Sequence, residues 1–193
     1  DGAREKGLDL SREAIRFSAN AIRAVHRLEF DQARELIGSA RANVEEMNRI
    51  LADHGELFYG GFVHNGQKEY AEACITLALV AGETLPDPDE LGISYAAYLN
   101  GLGEAAGEMR RHLLDTLRQG KIERCEEILW AMDDIYSLLV TIDFHDALTG
   151  GLRRTTDMVR GVLERTRGDF TFALRQKQLE QKLESFESKL NKK

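Results

Sequence analysis

Only two prolines interrupt the 193 residues, and they stand almost together at Pro86 and Pro88. Proline removes a backbone donor and disfavours helix in the residue before it, so the chain on either side of this point is free to run as long helices. Those flanking stretches carry apolar residues at three- and four-residue spacing, with Ala and Leu common and β-branched runs scarce. The expectation is an all-α chain, a single domain over residues 1–193 built as an antiparallel bundle of about seven helices.

Spacing places the elements. A first helix is expected over residues 10–28, capped by Ser11 and facing inward through Ile15, Ala19, Ile22 and Val25 or His26. Asp31 is expected to cap a second, which packs through Ala33, Ile37, Ala40, Val44, Met47 and Leu51 and ends at His54–Gly55. A third, residues 56–82, has a potential kink at Gly60–Gly61 and is apolar on every side from Ala73 onward except at Thr76. A helix apolar all round lies inside a protein or an assembly. After the Pro86–Pro88 loop, a fourth over residues 94–119 packs through Tyr95, Tyr98, Leu99, Leu102, Ala106, Met109, Leu113 and Leu117. A fifth, residues 122–145, carries Ile128, Leu129, Trp130, Met132, Ile135, Leu138 and Leu139. Gly150–Gly151 precedes a sixth, and Gly168–Asp169 divides that from a last helix with a heptad-like seam at Leu179, Leu183, Phe186 and Leu190.

The longest apolar run, 73–82, is too short to span a bilayer, and no basic segment followed by an apolar one opens the sequence. Cys74 and Cys125 sit in apolar helical contexts and read as reduced packing residues. A cytoplasmic protein without a membrane partner is the expectation. The net charge of −7 disfavours a nucleic-acid partner on average, yet residues 150–177 hold Arg153, Arg154, Arg160, Arg165, Arg167, Arg175 and Lys177 against three acids. Arg12, Arg16, Arg23 and Arg27 also share one helical face. These basic sets fit either phosphate binding or solvated ion pairs.

Two carboxylate pairs carry the chemistry. Glu69 and Glu72 are three residues apart on the third helix, and Glu104 and Glu108 four apart on the fourth, so each pair shares a face. Both lie in apolar surroundings, where like charges repel and burial of an ion is costly. A hard divalent cation between the helices would relieve that conflict, and an all-oxygen set favours Mg²⁺ or Mn²⁺ over zinc. Glu-x-x-His is absent, which removes the ferritin-like di-iron arrangement. All-helical nucleotide pyrophosphatases also use Glu-x-x-Glu but typically pair it with Glu-x-x-Asp rather than the Glu-x-x-x-Glu found here, so hydrolysis of free nucleotides by the same acids stays as a further, weaker-fitting alternative. Solvated helix faces paired with Lys68, Arg110 and Arg111 are the plainer alternative. His112 lies one turn beyond Glu108 and fits either an outer position at the site or an ordinary interfacial histidine.

Around the acids, Gly66–Gln67–Lys68–Glu69–Tyr70–Ala71–Glu72–Ala73 resembles the Gly-x-x-Glu-Tyr-x-Glu-Ala stretch of translin-associated factor X. Tyr98–Leu99–Asn100–Gly101, followed by Gly107–Glu108–Met109–Arg110, resembles the Tyr-Leu-x-Gly…Gly-Glu-Leu-x-Arg signature of the translin superfamily. The resemblance implies an all-helical fold in hollow homo-oligomers, hexamer to octamer, that bind single-stranded RNA, with single-stranded DNA as an alternative. It implies a Mg²⁺-dependent endoribonuclease with Glu69, Glu72, Glu104 and Glu108 as catalytic metal ligands, Glu104 replacing the family's usual Asp. A translin-like binding scaffold without activity is the alternative it leaves. Lys68, Arg111, Arg153, Arg154 and Arg160 are then the expected nucleic-acid contacts.

Overall fold

The computed structural model describes residues 2–190 and, within them, nine helices and no strand. Six are long: α1 (Gly2–His26), α2 (Phe30–Leu51), α4 (Gly61–Ala81), α6 (Tyr95–Arg118), α7 (Ile122–Val140) and α9 (Leu152–Leu190). Three are single turns: α3 (Gly55–Phe58), α5 (Pro88–Leu91) and α8 (Asp146–Thr149). None of the described helices is long and apolar enough to cross a membrane.

The apolar stretch of α4 makes it the central rod. Tyr70 through Ala78 are all buried, and α1, α2 and α6 pack around them. Successive long helices run antiparallel, as the α2–α4 contacts Asn48–Gln67 and Arg34–Glu83 illustrate. The exception follows the prolines. Asp87 and Glu90 form a reciprocal cap on α5, with Pro88 at its first position, and the segment crosses back to the start of α4. There the Ser94 backbone N–H donates to Gln67 Oε1 at 3.2 Å, and the Ser94 hydroxyl accepts from the Ala97 N–H to cap α6. Hence α6 runs parallel to α4, which places Glu104 beside Glu69 and Glu72.

Two neighbouring residues explain how closely these helices approach. A Cβ built on Gly101 would lie 2.7 Å from the Lys68 carbonyl oxygen and 2.8 Å from Ala71 Cβ, so α6 rests directly on the α4 backbone. Adjacent Asn100 is buried, donates to the Ala96 and Thr149 carbonyls, and accepts from the Thr155 hydroxyl at 2.6 Å. It joins α6 to α8 and α9, and every polar atom of its amide is used.

Several sequence expectations are corrected. Ser11 does not cap α1; it lies within that helix, buried, and donates to the Phe62 carbonyl at 2.7 Å. Of the expected stripe of α1, Ile22, Val25 and the His26 side chain are buried, but Ile15 and Ala19 are not; Ala14, Ser18 and Ala21 take their place, small side chains that let the helix sit close against α4. Asp31 is in the first turn of α2 and makes no cap; the helix is entered through Leu28, in the left-handed region at φ 61°. The third expected helix is divided at Gly60 into α3 and α4. The fifth ends at Val140, with α8 following separately. Gly168 does not break the last helix, because Arg110 bonds Thr166 and Asp169 on both sides of it and Phe170 is buried just beyond. Tyr95, Trp130 and Leu138 are exposed.

Candidate metal centre

Glu69 and Glu72 from α4 meet Glu104 from α6. One carboxylate oxygen of each lies within 4.8 Å of the other two. Helical spacing sets the first pair and the Gly101 contact brings in the third. The Lys68 ammonium sits against the cluster, donating to Glu104 Oε1 at 2.6 Å and standing 3.3 Å from Glu69 Oε1. It is the cation that the three acids have in this state.

One ammonium does not balance three carboxylates. Glu72 is buried, and desolvation together with the charges of Glu69, Glu104 and Glu108 pushes its pKa up to about 8, with Lys68 opposing. Lys68 itself is held above its usual value: burial alone would lower it, but the hydrogen bond and charge of Glu104, then Glu69, outweigh that effect. The cluster therefore has the donors, the shortage of positive charge and the hard-oxygen chemistry that a divalent cation of the Mg²⁺ or Mn²⁺ kind requires.

Glu108 is placed differently. Its Oε2 accepts from His26 Nε2 at 2.5 Å, and that hydrogen bond is the main reason its pKa is lowered. Glu108 stays outside the three-oxygen group, yet its charge reaches Glu72. His26 comes from the far end of α1; its side chain is 3% exposed and its Nδ1 is buried without a partner. Nothing in the spacing around Glu108 signals this contact, which depends on how α1 lies across the bundle. His112 is half-buried, its pKa lowered by burial first and by Arg124 and His26 next. His64, one turn before Lys68 on α4, is likewise held low by burial and then by Lys68.

The expected basic contacts divide. Lys68 lies in the cluster, and exposed Arg111 is near enough to help lower the Glu108 pKa. Arg110 is committed to Thr166 and Asp169. Arg153, Arg154 and Arg160 are exposed on α9; Arg153 lines a separate cavity with Asp143, Asp146 and Asp157, and Arg160 pairs with Asp157 at 3.2 Å. Among the described residues, no hydrogen bond or ion pair joins those three to the acids. Arg12, Arg16 and Arg23 of α1 and Arg27 just past it are exposed and bonded to Asp9, Glu13, Asn20 and Glu29 respectively.

Fold and cluster together define an all-helical bundle with a carboxylate centre between two parallel helices. The chain belongs to the translin superfamily. It superposes on AfC3PO in complex with duplex RNA with a TM-score of 0.82, at 31% identity over 89% of each chain. A separate crystal structure of AfC3PO gives 0.81 at 30% identity, covering 89% of this chain and 90% of that one. Apo-NeC3PO, at 21% identity and a TM-score of 0.81, shares the fold. In sequence, an uncharacterized protein of Methanocaldococcus jannaschii, MJ0175, is 30% identical over 171 residues, which cover 88% of this chain and 75% of that protein. No protein-family model matches the chain.

Proposed function

We propose that this protein is a divalent-metal-dependent endoribonuclease, of the kind translin-associated factor X represents, cleaving single-stranded RNA within a homo-oligomer of its own chain. One observation carries the reading: three glutamate oxygens from two helices converge within 4.8 Å around a partly neutralised, buried site. Kinship with AfC3PO, which has been solved with duplex RNA, supports RNA as the substrate class.

Glu69, Glu72 and Glu104 would hold the cation, Mg²⁺ or Mn²⁺. When bound, it supplies a Lewis acid for a phosphoryl oxygen and lowers the pKa of a water. The protein's own groups do the remainder. Lys68, freed from Glu104, offers its ammonium to a phosphate oxygen. His26 fixes the Glu108 carboxylate, whose free oxygen would take the proton from an attacking water. Arg111 stands exposed beside Glu108 to meet the backbone.

A binding scaffold is the second reading. It is favoured by the Lys68–Glu104 and His26–Glu108 bonds, which satisfy two of the four acids without any metal. The experiment compares end-labelled single-stranded RNA with a duplex of the same sequence, with Mg²⁺, with EDTA and with Glu104→Gln. Single-strand cleavage abolished by both EDTA and the substitution supports the nuclease. RNA bound but intact under every condition establishes the scaffold instead, and faster cleavage of the duplex replaces the single strand as substrate.

A further inference from the structure

We infer that the cleft where α4 and α6 begin is a nucleobase subsite of the RNA site, an inference that rests on the proposal above. The cleft has a volume of about 620 Å³. Its walls come from α3 and the turn to α4, from the start of α6, and from α8 with Gly150. The acids lie close by. His64 in its floor is four residues before Lys68 on the same helical face, a rise of ~6 Å. Lys68 in turn holds Glu104. A strand whose phosphate reaches the acids has a neighbouring base within reach of the cleft.

The lining suits a base. Tyr59 and Tyr95 stand on different walls, 86% and 63% exposed, although the sequence pattern puts Tyr95 on a packing face. Each ring is contacted at its tip or edge rather than covered. The Tyr95 hydroxyl donates to the Asp89 carboxylate at 3.1 and 3.2 Å, and Tyr59 meets Phe58 edge-on with centroids 5.4 Å apart. Aromatic faces left open to solvent are the platforms on which unstacked bases bind. In the floor, the exposed Asn65 amide and the His64 imidazole both donate and accept, matching the mixed edge of a base. His64 packs directly over Gly150, where a Cβ would lie 2.7 Å from its Cε1.

Charge and polarity set this cleft apart from its neighbours. No Asp or Glu is among its lining residues, in a chain that contains 33 of them, and the Asp89 carboxylate meets it only at the rim, on the Tyr95 hydroxyl. The adjoining cavity at Arg153 carries Asp143, Asp146 and Asp157, which would repel a polyanion. A third, at Tyr98, Leu99, Ile142 and Phe144, is almost wholly apolar and offers a base edge no comparable set of partners.

The test is a coupling cycle on the full chain. The probe is a fluorescent single-stranded RNA oligonucleotide carrying one abasic position, moved stepwise along it. Binding is followed by anisotropy in EDTA, cleavage in Mg²⁺, and assembly by light scattering, for the wild type, Tyr59→Ala and Tyr95→Ala. About tenfold weaker binding is expected from either substitution, within the range for losing a base–aromatic stack. One abasic position should cost the wild type as much and cost the variants nothing further. Losses that multiply at every position, or unchanged affinity, overturn the subsite. An altered oligomer assigns the tyrosines to a subunit interface and also overturns it. Coupling without cleavage would refute the nuclease and leave the subsite standing; cleavage without coupling would do the reverse, and failure to bind RNA refutes both.

Discussion

At the scale of single residues, the site is a study in unbalanced charge. Glu72 keeps its proton to about pH 8 in the folded chain, against 4.5 for an ordinary glutamate. Between those values the unfolded chain has released a proton that the folded one retains, so raising pH costs stability across that window. Above the upper value the cost is complete. Glu72→Gln removes it: in EDTA, the stability advantage of the variant should grow from about pH 5 to about pH 9 by a few kcal/mol, measured by urea denaturation. Equal pH profiles for the two proteins would show that Glu72 is not under this strain. The same proton must leave before a cation binds, so Mn²⁺ affinity of the wild type should rise between about pH 6 and about pH 8, as read by isothermal titration.

At the scale of helices, the decisive feature is the backbone contact at Gly101. Gly101→Ala would drive α6 away from Lys68 and Ala71, with an expected loss of ~1–3 kcal/mol from overpacking. Because Glu104 moves with the helix, Mn²⁺ affinity should fall as well; a stability loss with unchanged affinity would separate the contact from the site. Gly168 makes the opposite prediction. It lies inside α9, where an added methyl group would meet nothing within 4 Å, so Gly168→Ala should stabilise the chain by ~1 kcal/mol, read as a rise in Tm. A fall would mean that the helix is interrupted there, as the glycine suggests on its face.

These elements also mark what a sequence can disclose. Glu69, Glu72 and Glu104 were legible because acids at helical spacing in apolar segments are anomalous locally. His26 was not, since its partner is 82 residues away and only the crossing of α1 over α4 brings them together. The role of Gly101 was hidden for the same reason: a helix glycine looks like a weakness until the neighbouring backbone is known. Tyr95 and Trp130 fit amphipathic faces, but exposure is decided by which neighbours arrive, and none covers them. The bundle class was readable because proline placement and periodicity are properties of the chain alone.

For the whole molecule, α9 outruns its companions. Leu174 is its last residue packed on the core, and Leu179, Leu183, Phe186 and Leu190 beyond it are exposed. Homo-oligomerisation, as proposed, gives these side chains a covering surface. Leu183→Glu with Phe186→Glu is expected to reduce the assembled mass in light scattering while leaving the helical circular dichroism unchanged. Assembly that withstands both charges would place the subunit contacts elsewhere.

The return of the chain after its prolines has a further effect. Because that crossover makes α6 run with α4, and α1 and α9 follow the same direction, four long helices open at one end of the bundle. The antiparallel α2 and α7 end there and offset two of the four dipoles, so the backbone keeps a modest excess of N-terminal partial positive charge at that end. That excess is made of backbone rather than of lysine or arginine, and it faces the carboxylates of the turns at the same end, Asp87, Asp89 and Asp146 among them. No substitution of a charged side chain can remove that excess.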